Sequence, residues 1–455
     1  MNNTLITVAA FVVALALLIV IHEYGHYLVA RLAGVKVLRF AIGFGRPLWS
    51  RRAGADRTEW ALCAFPLGGY VKMLDEHEAP VAPQELHRAF NRQSVWRRMA
   101  IVVAGPMANL LLAVVLYWVL FVHGVQEPKP MVGAPEPGSV SASAGLQHGD
   151  TVLRINDEAV ASWQDLRWLL LKLAVDRQAA RLEVLGRDGR ARSHTIDLAS
   201  FEAQGFEGDP LARMGLRIYR PDVEPVIGKV LEGSVAAHAG LLAGDRVIAI
   251  DERSIRTWDE LVGSVRAHPG AALRLRIERA GTDLEIALTP EAVQQDGGRF
   301  GRIGASARID PRALESLITT VRYDPGRALT LAFARTWDTS LFSLKMLGKM
   351  LVGEVSWRNL SGPVTIADYA GQSAQLGAAA YLSFIALISI SLGVLNLLPI
   401  PLLDGGHLMY YVVELFKGSP VSERVMELGQ RLGLTLLLFL MAFAFYNDIN
   451  RLLSG

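Results

Sequence analysis

The chain has 455 residues, 51% of them hydrophobic, and a formal net charge of +2. That near-neutral balance gives no reason to expect nucleic acid as a partner. The single cysteine, Cys63, excludes an intrachain disulfide and a cysteine-rich metal site, and reads as a small apolar filler.

The first predicted element is an apolar run, Leu5 to Ile21, without a charged side chain. A cleaved signal peptide would carry a basic residue before this run and a small-x-small site after it, and neither is present. The helical pattern instead continues into His22-Glu23-Tyr24-Gly25-His26. Residues four apart share one face of a helix, so His22 and His26 can ligate one Zn²⁺. Glu23 stands beside them, placed to take a proton from water. An ionisable trio at membrane depth is costly, which argues for function over chance.

Val37 to Met73 follows, with strand character, a turn in "RRAGADR" and glycines at Gly43, Gly45, Gly68 and Gly69. Directly after the metal helix, such a sheet edge could hold an unwound substrate as an added strand. An ordinary cytoplasmic hairpin is the alternative. A second uncharged run extends from Met99 to Val122. Between the two spans, Arg31 to Arg98 holds twelve Lys and Arg against six Asp and Glu. The positive-inside rule puts this loop in the cytoplasm and the N-terminus outside. By parity the region from about His123 to Gly371 is expected outside, and so is the C-terminus.

That outer region contains a duplication. "SVSASAGLQHGDTVLRIN" starts at Ser139 and "SVAAHAGLLAGDRVIAID" at Ser234, an offset of 95 residues that also matches Trp163 to Trp258 and Leu166 to Leu261. A constant offset of this size means a duplicated domain and not a solenoid. Ala-Gly-Leu followed by Gly-Asp, an alternating strand, a helix and a hairpin make each copy similar to a circularly permuted PDZ domain, which binds peptide termini at a sheet edge. The peptide groove is expected near Gly215 and Leu216 in "MGLRIY" and near Gly304 in "IGASAR". A rigid spacer or size filter is the competing reading. Next, Ala328 to Val352 mixes apolar and charged residues, the pattern of a helix lying along the membrane surface.

Tyr369 to Leu403 is uncharged, and Leu432 to Asn447 forms a fourth, shorter apolar run. Within "LGVLNLLPIPLLDGGHL", Pro399 and Pro401 break the third span, which is tolerated where freed backbone lines a cavity or packs in protein. A catalytic zinc takes three protein ligands and keeps one open position. Asp404 is the better third candidate, His407 its rival, and His77 and His87 in the cytoplasmic loop remain possible. Asn396 supplies a neutral donor for a substrate carbonyl or oxyanion.

These motifs together resemble the site-2 protease family of intramembrane metalloproteases. The resemblance rests on His-Glu-x-x-His, on Asn-x-x-Pro-x-Pro-x-x-Asp-Gly, and on the duplicated PDZ insert. It also rests on "GFG" at Gly43 to Gly45, "PLGGYVKM" at Pro66 to Met73, "AGPMANLLLA" at Ala104 to Ala113, and "NLSGPVTIADYAG" at Asn359 to Gly371. It implies a polytopic α-helical membrane protein with four transmembrane helices, a membrane-associated β-element and two extracytoplasmic α+β PDZ domains. The expected segments are 1–125 and 372–455 for the catalytic part, 126–221 and 222–311 for the PDZ domains, and 312–371 for the membrane-surface helix. The resemblance makes Asp404 the third zinc ligand and assigns Asn396, Gly43, Gly45, Pro399 and Pro401 to substrate binding. It implies a bacterial inner-membrane zinc endopeptidase that cuts single-span proteins, namely an anti-sigma factor after a first outer cut and remnant signal peptides. Two other readings are a membrane-anchored peptide-binding scaffold with a structural or dead metal site, and a peptidase of soluble cytoplasmic peptides. The intact Glu23 disfavours the first, and the buried position of His22 with the outward PDZ pair disfavours the second.

Overall fold

The computed structural model describes residues 2–199, 209–221, 223–295, 298–308, 315–357 and 362–454. The expected domain boundaries at 222 and 311, and the start of the Asn359 motif, lie outside the described residues. The chain divides into two compact units, Met1–Val125 with Thr320–Ser454 and Gln126–Ser200 with Pro210–Thr319.

The first unit opens with helix α1 (Asn2–Leu32), which runs unbroken through the two histidines. Two long strands follow, β1 (Val37–Ala53) and β2 (Thr58–Met73). Both bend, so the hairpin makes a sheet four segments wide. Arg39 and Phe40 pair with Lys72 and Val71 on one side and with Glu59 and Trp60 on the other, and Trp60 also pairs with Arg51. Segment 69–73 is therefore one outer edge. Gly43 and Gly45, at φ 86° and 90°, let β1 turn back on itself. Around that bend Phe44, Leu48, Trp49 and Phe65 are exposed. At the opposite end Asp56 accepts from both Arg88 NH groups at 2.7 Å and pairs with Arg31, in the last turn of α1. The Arg88 guanidinium in first place, then the Arg31 charge, holds the Asp56 carboxyl below the usual carboxylate range. The sheet is thus pinned to the end of α1. Helix α2 (Val95–His123) then crosses α1 and carries Pro106 inside it.

The second unit contains the duplicated copies. Each begins with a four-residue helix capped by a serine hydroxyl, Ser139 on Ala142 N–H and Ser234 on Ala237 N–H. Each continues with a strand 95 residues apart, Thr151–Ile155 and Arg246–Ile250, at the second place of a four-stranded antiparallel sheet. Helix α3 (Trp163–Val175) and helix α4 (Trp258–Ala267) occupy matching positions and bury Leu166 and Leu261. The aspartates of the two Gly-Asp pairs are buried and accept the backbone N–H three residues earlier, Gln147 and Leu242. The sequence motif therefore marks a turn lock. In the second copy a guanidinium is added: Arg279 Nε donates to Asp245 at 2.7 Å.

The chain returns to the first unit with helix α5 (Pro325–Leu351). Its buried face is Ala328, Ala332, Thr336 and Thr339, while Leu329, Phe333, Trp337 and Leu341 are exposed. Helices α6 (Pro363–Leu376) and α7 (Ala378–Leu397) are separated at Gly377, and α8 (Asp404–Lys417) begins after the proline loop. The sequence reading contained neither α6 nor α8 as separate helices. The last helix, α9 (Glu423–Ser454), buries Asp448, which accepts from Gly362 N–H and Val364 N–H at 2.9 Å and from Thr365 Oγ1 at 2.6 Å. A carboxylate from one helix thereby caps the start of another. Among the described residues, four helices are long and apolar enough to cross a membrane, within α1, α2, α7 and α9.

Burial alone would raise the pKa of Asp245, but the Arg279 guanidinium and the Leu242 N–H outweigh it and hold the carboxyl below its usual range. A depressed folded pKa contributes stability above the ordinary carboxylate value, and that stability is lost as pH falls through the folded value. Asp245→Asn should cost the second copy about 1.5–3 kcal/mol at neutral pH in urea unfolding. The gap between wild type and variant should close below the ordinary carboxylate range. An equal gap at all pH values would contradict the assignment.

Candidate metal centre

The site forms where α1, α2 and α8 meet. His22 Nε2 and His26 Nε2 lie 3.2 Å apart, as their four-residue spacing on α1 requires. Asp404 Oδ2 lies 3.2 Å from His22 Nε2 and 3.5 Å from His26 Nε2. Tetrahedral zinc with bonds of ~2.0–2.1 Å sets its ligand atoms ~3.3–3.4 Å apart. The three separations fit that figure. Asp404 Oδ2 is buried without a hydrogen-bond partner among the described residues, as a ligand atom waiting for a cation would be. Among the described residues, His22, His26 and Asp404 are the group of side chains close enough to hold a metal.

The approach of α2 depends on missing side chains. A Cβ on Gly105 would stand 2.3 Å from His26 Nε2 and 2.9 Å from His22 Cε1. A Cβ on Gly25 would stand 2.3 Å from the Ala104 carbonyl oxygen. Small residues at a helix crossing let backbones come this close. The crossing also brings the Ile101 carbonyl to His26 Nδ1 at 2.8 Å. That bond keeps the proton on Nδ1 and leaves Nε2 with its lone pair toward the centre.

Asp404 arrives by a different route. Helix α7 ends at Leu397, and α8 starts at Asp404 itself, whose carboxylate lies at the positive end of the helix dipole. Between them Leu402 adopts φ 88°, a strained conformation for a branched side chain, costing about 1–2 kcal/mol. Helix α8 is tied to α2 by the Arg98–Glu414 pair at 2.6 Å, with both side chains largely buried. Arg98 also lies over the Tyr411 ring, 4.9 Å from its centroid.

A cavity of about 520 Å³ opens beside His22, His26 and Asp404 and is lined by Glu23, Gly69, Tyr70, Val71 and Asn396, among others. Glu23 sits against the sheet, where a Cβ on Gly69 would come within 2.8 Å of its Cγ. The free edge 69–73 thus runs along the cavity. Of the residues assigned to substrate binding, Asn396 lines this space. Gly43 and Gly45 instead form the bend of β1, where a Cβ on Gly43 would meet the Phe65 carbonyl at 2.6 Å. Pro401 packs on α9, 2.2 Å from a Cβ placed on Gly433, and Pro399 is exposed. His407 lines the cavity outside the three-ligand group. His77 pairs with Asp75 at 3.1 Å in an exposed position, and His87 is exposed.

In the second unit the expected peptide loops are partly committed. Leu216 is buried, and the N–H groups of Gly215 and Leu216 donate to Ala212 and Leu211 carbonyls at 2.9 and 2.8 Å. Those donors are spent on ending a short helix. Gly304, at φ 77°, faces Ser234 in the matching place. Sequence reasoning missed Asn109, whose amide nitrogen lies 3.4 Å from His22 Nδ1. The signal was available, because Asn109 is the one amide in the uncharged run Met99 to Val122.

The family model for peptidase family M50 matches residues 10–440. The chain belongs to that family. It is 41% identical to the regulator of sigma-E protease RseP of Salmonella typhimurium over 99% of this chain and 100% of the relative. It is 41% identical to RseP of Escherichia coli K12, with 98% of each chain covered. It is 43% identical to a putative zinc metalloprotease of Ralstonia nicotianae, over 98% of this chain and 99% of the relative. The protein is a zinc metalloprotease of the site-2 type and a multi-pass membrane protein.

Gly105→Ala tests the crossing. The added methyl should displace His26, so zinc retained after purification should fall well below one ion per chain and activity with it. Elemental analysis showing full zinc occupancy in this variant would refute the role given to the missing Cβ.

Proposed function

We propose that His22, His26 and Asp404 hold the zinc, that Glu23 is the proton carrier, and that the substrate is a transmembrane segment of a single-span protein. The observation that carries this reading is the convergence of two Nε2 atoms and one Oδ2 atom at 3.2–3.5 Å inside a unit built from apolar helices. Bound zinc supplies a Lewis acid and lowers the pKa of water from 15.7 to about 7. Glu23 takes the proton from the attacking water and gives it to the departing amide nitrogen. The Asn396 amide donates to the substrate carbonyl oxygen as negative charge gathers there.

A transmembrane helix hides its carbonyls in hydrogen bonds and must be unwound before attack. In this reading the free edge 69–73 takes the unwound segment as an added strand, whose backbone bonds replace those of the helix. The exposed aromatic bend at Phe44, Trp49 and Phe65 enters the lipid and makes the hairpin a membrane element. Gly43 and Gly45 contribute by allowing that bend. The basic loop from Arg31 to Arg98 faces the cytoplasm of a bacterial inner membrane, and the two PDZ domains face the periplasm. There they act as a filter that favours substrates already trimmed outside. The names of the RseP relatives tie them to regulation of sigma-E, and in this reading the substrate is an anti-sigma factor, with remnant signal peptides as a second class.

Co-expression of the chain with single-span substrates, followed by mass spectrometry, tests the reading. A cut inside the transmembrane segment should appear with wild type and vanish with Glu23→Gln and with Asp404→Ala. His407→Ala should retain cutting. A cut that survives Glu23→Gln would turn the reading toward a peptide-binding scaffold acting beside another protease.

A further inference from the structure

We infer that Asn109 is a positioning residue for His22: its side-chain carbonyl accepts the proton on His22 Nδ1 and fixes the tautomer that turns Nε2 to the zinc. This rests on the ligand set proposed above. His22 Nε2 is 3.2 Å from both Asp404 Oδ2 and His26 Nε2, so that nitrogen faces the centre. A neutral imidazole has one N–H and one lone pair, and a ligating Nε2 leaves the proton on Nδ1. Deep in an apolar bundle, that N–H needs an acceptor.

His26 meets the same need through the Ile101 carbonyl. At His22 the group in place is the Asn109 amide, 3.4 Å from Nδ1. As placed, the amide turns its NH₂ to the ring, while Asn109 Oδ1 is buried with no hydrogen-bond partner among the described residues. A half-turn about the terminal bond exchanges the two atoms and gives the imidazole N–H its acceptor. Zinc on Nε2 demands that orientation, because two donors cannot face each other. Asn109 is 1% exposed, and its own backbone carbonyl accepts from Ser389 Oγ of α7 at 2.7 Å. The residue's backbone is therefore tied to a second helix. The two ligands of α1 are thus oriented from one helix, α2, one by a carbonyl and the other by an amide.

Outer partners of metal-bound histidines typically change metal affinity about 10–100-fold when removed. Asn109→Leu keeps the size and removes the acceptor, whereas Asn109→Asp keeps an acceptor. Zinc affinity of the full chain in detergent, measured by competition with a chelator, should fall about 10–100-fold in Asn109→Leu and stay within a few-fold of wild type in Asn109→Asp. With Co²⁺ in place of zinc, the visible absorption bands should shift in Asn109→Leu and be restored in Asn109→Asp. Asn109→Ala serves as a second acceptor-free variant if the leucine does not fold. Wild-type zinc affinity in the acceptor-free variants would overturn the inference, and so would an equal loss in Asn109→Asp, which keeps both the shape and an acceptor. His22→Ala is measured alongside. If it keeps full zinc affinity, the ligand set itself is wrong. If it loses zinc while Asn109→Leu does not, only the role of Asn109 falls.

Discussion

Two side chains that are not there govern this site. Gly25 on α1 and Gly105 on α2 let the helices cross so closely that an added methyl would stand 2.3 Å from a carbonyl oxygen in one case and from His26 Nε2 in the other. Interiors pack at crystal-like density, so a gap or a clash at such a crossing is not absorbed locally. Without the close approach, the Ile101 carbonyl would not reach His26 and Asn109 would not stand beside His22. The metal centre is thus a property of the crossing as much as of the ligands.

The surrounding parts deal with polar chemistry placed in an apolar bundle. A buried polar group without a partner costs several kcal/mol in such surroundings, roughly, so each must be answered. The start of α6 is answered by Asp448, and the start of α8 is occupied by Asp404. Arg98 and Glu414 neutralise each other at the junction of α2 and α8. Breaking such a pair from one side leaves an uncompensated charge, which gives the junction a fixed geometry. Asp56 does similar work at the sheet end, where two guanidinium groups fix the hairpin to the last turn of α1. Glu23, the cluster of His22, His26 and Asp404, and the free strand edge are consequently held by separate anchors around one cavity.

Much of this was legible in the sequence, for reasons that can be named. The four-residue histidine spacing, the prolines that end a span and the 95-residue duplication are local patterns, and local patterns survive without coordinates. The proline-broken span pointed to Asp404 as a partner for a helix almost four hundred residues earlier, with His407 as its rival, and the family resemblance chose between them. What stayed hidden depends on which residues meet across the fold. Asn109 was quoted as part of a motif but not read as a partner of His22. Gly43 and Gly45 stand at the bend of β1, and that Gly69 is the glycine meeting Glu23 depends on the folded register. Leu216 lies on the expected groove loop but points into the core. Helix α8 was concealed because the apolar run before it looked like one span with an interruption.

The most direct test of the central claim is X-ray absorption at the zinc edge on the wild-type protein in detergent. The account predicts four-coordinate zinc with two imidazole nitrogens and a carboxylate oxygen at ~2.0–2.2 Å. A sulfur at ~2.3 Å, or a third imidazole in place of the carboxylate, would contradict it.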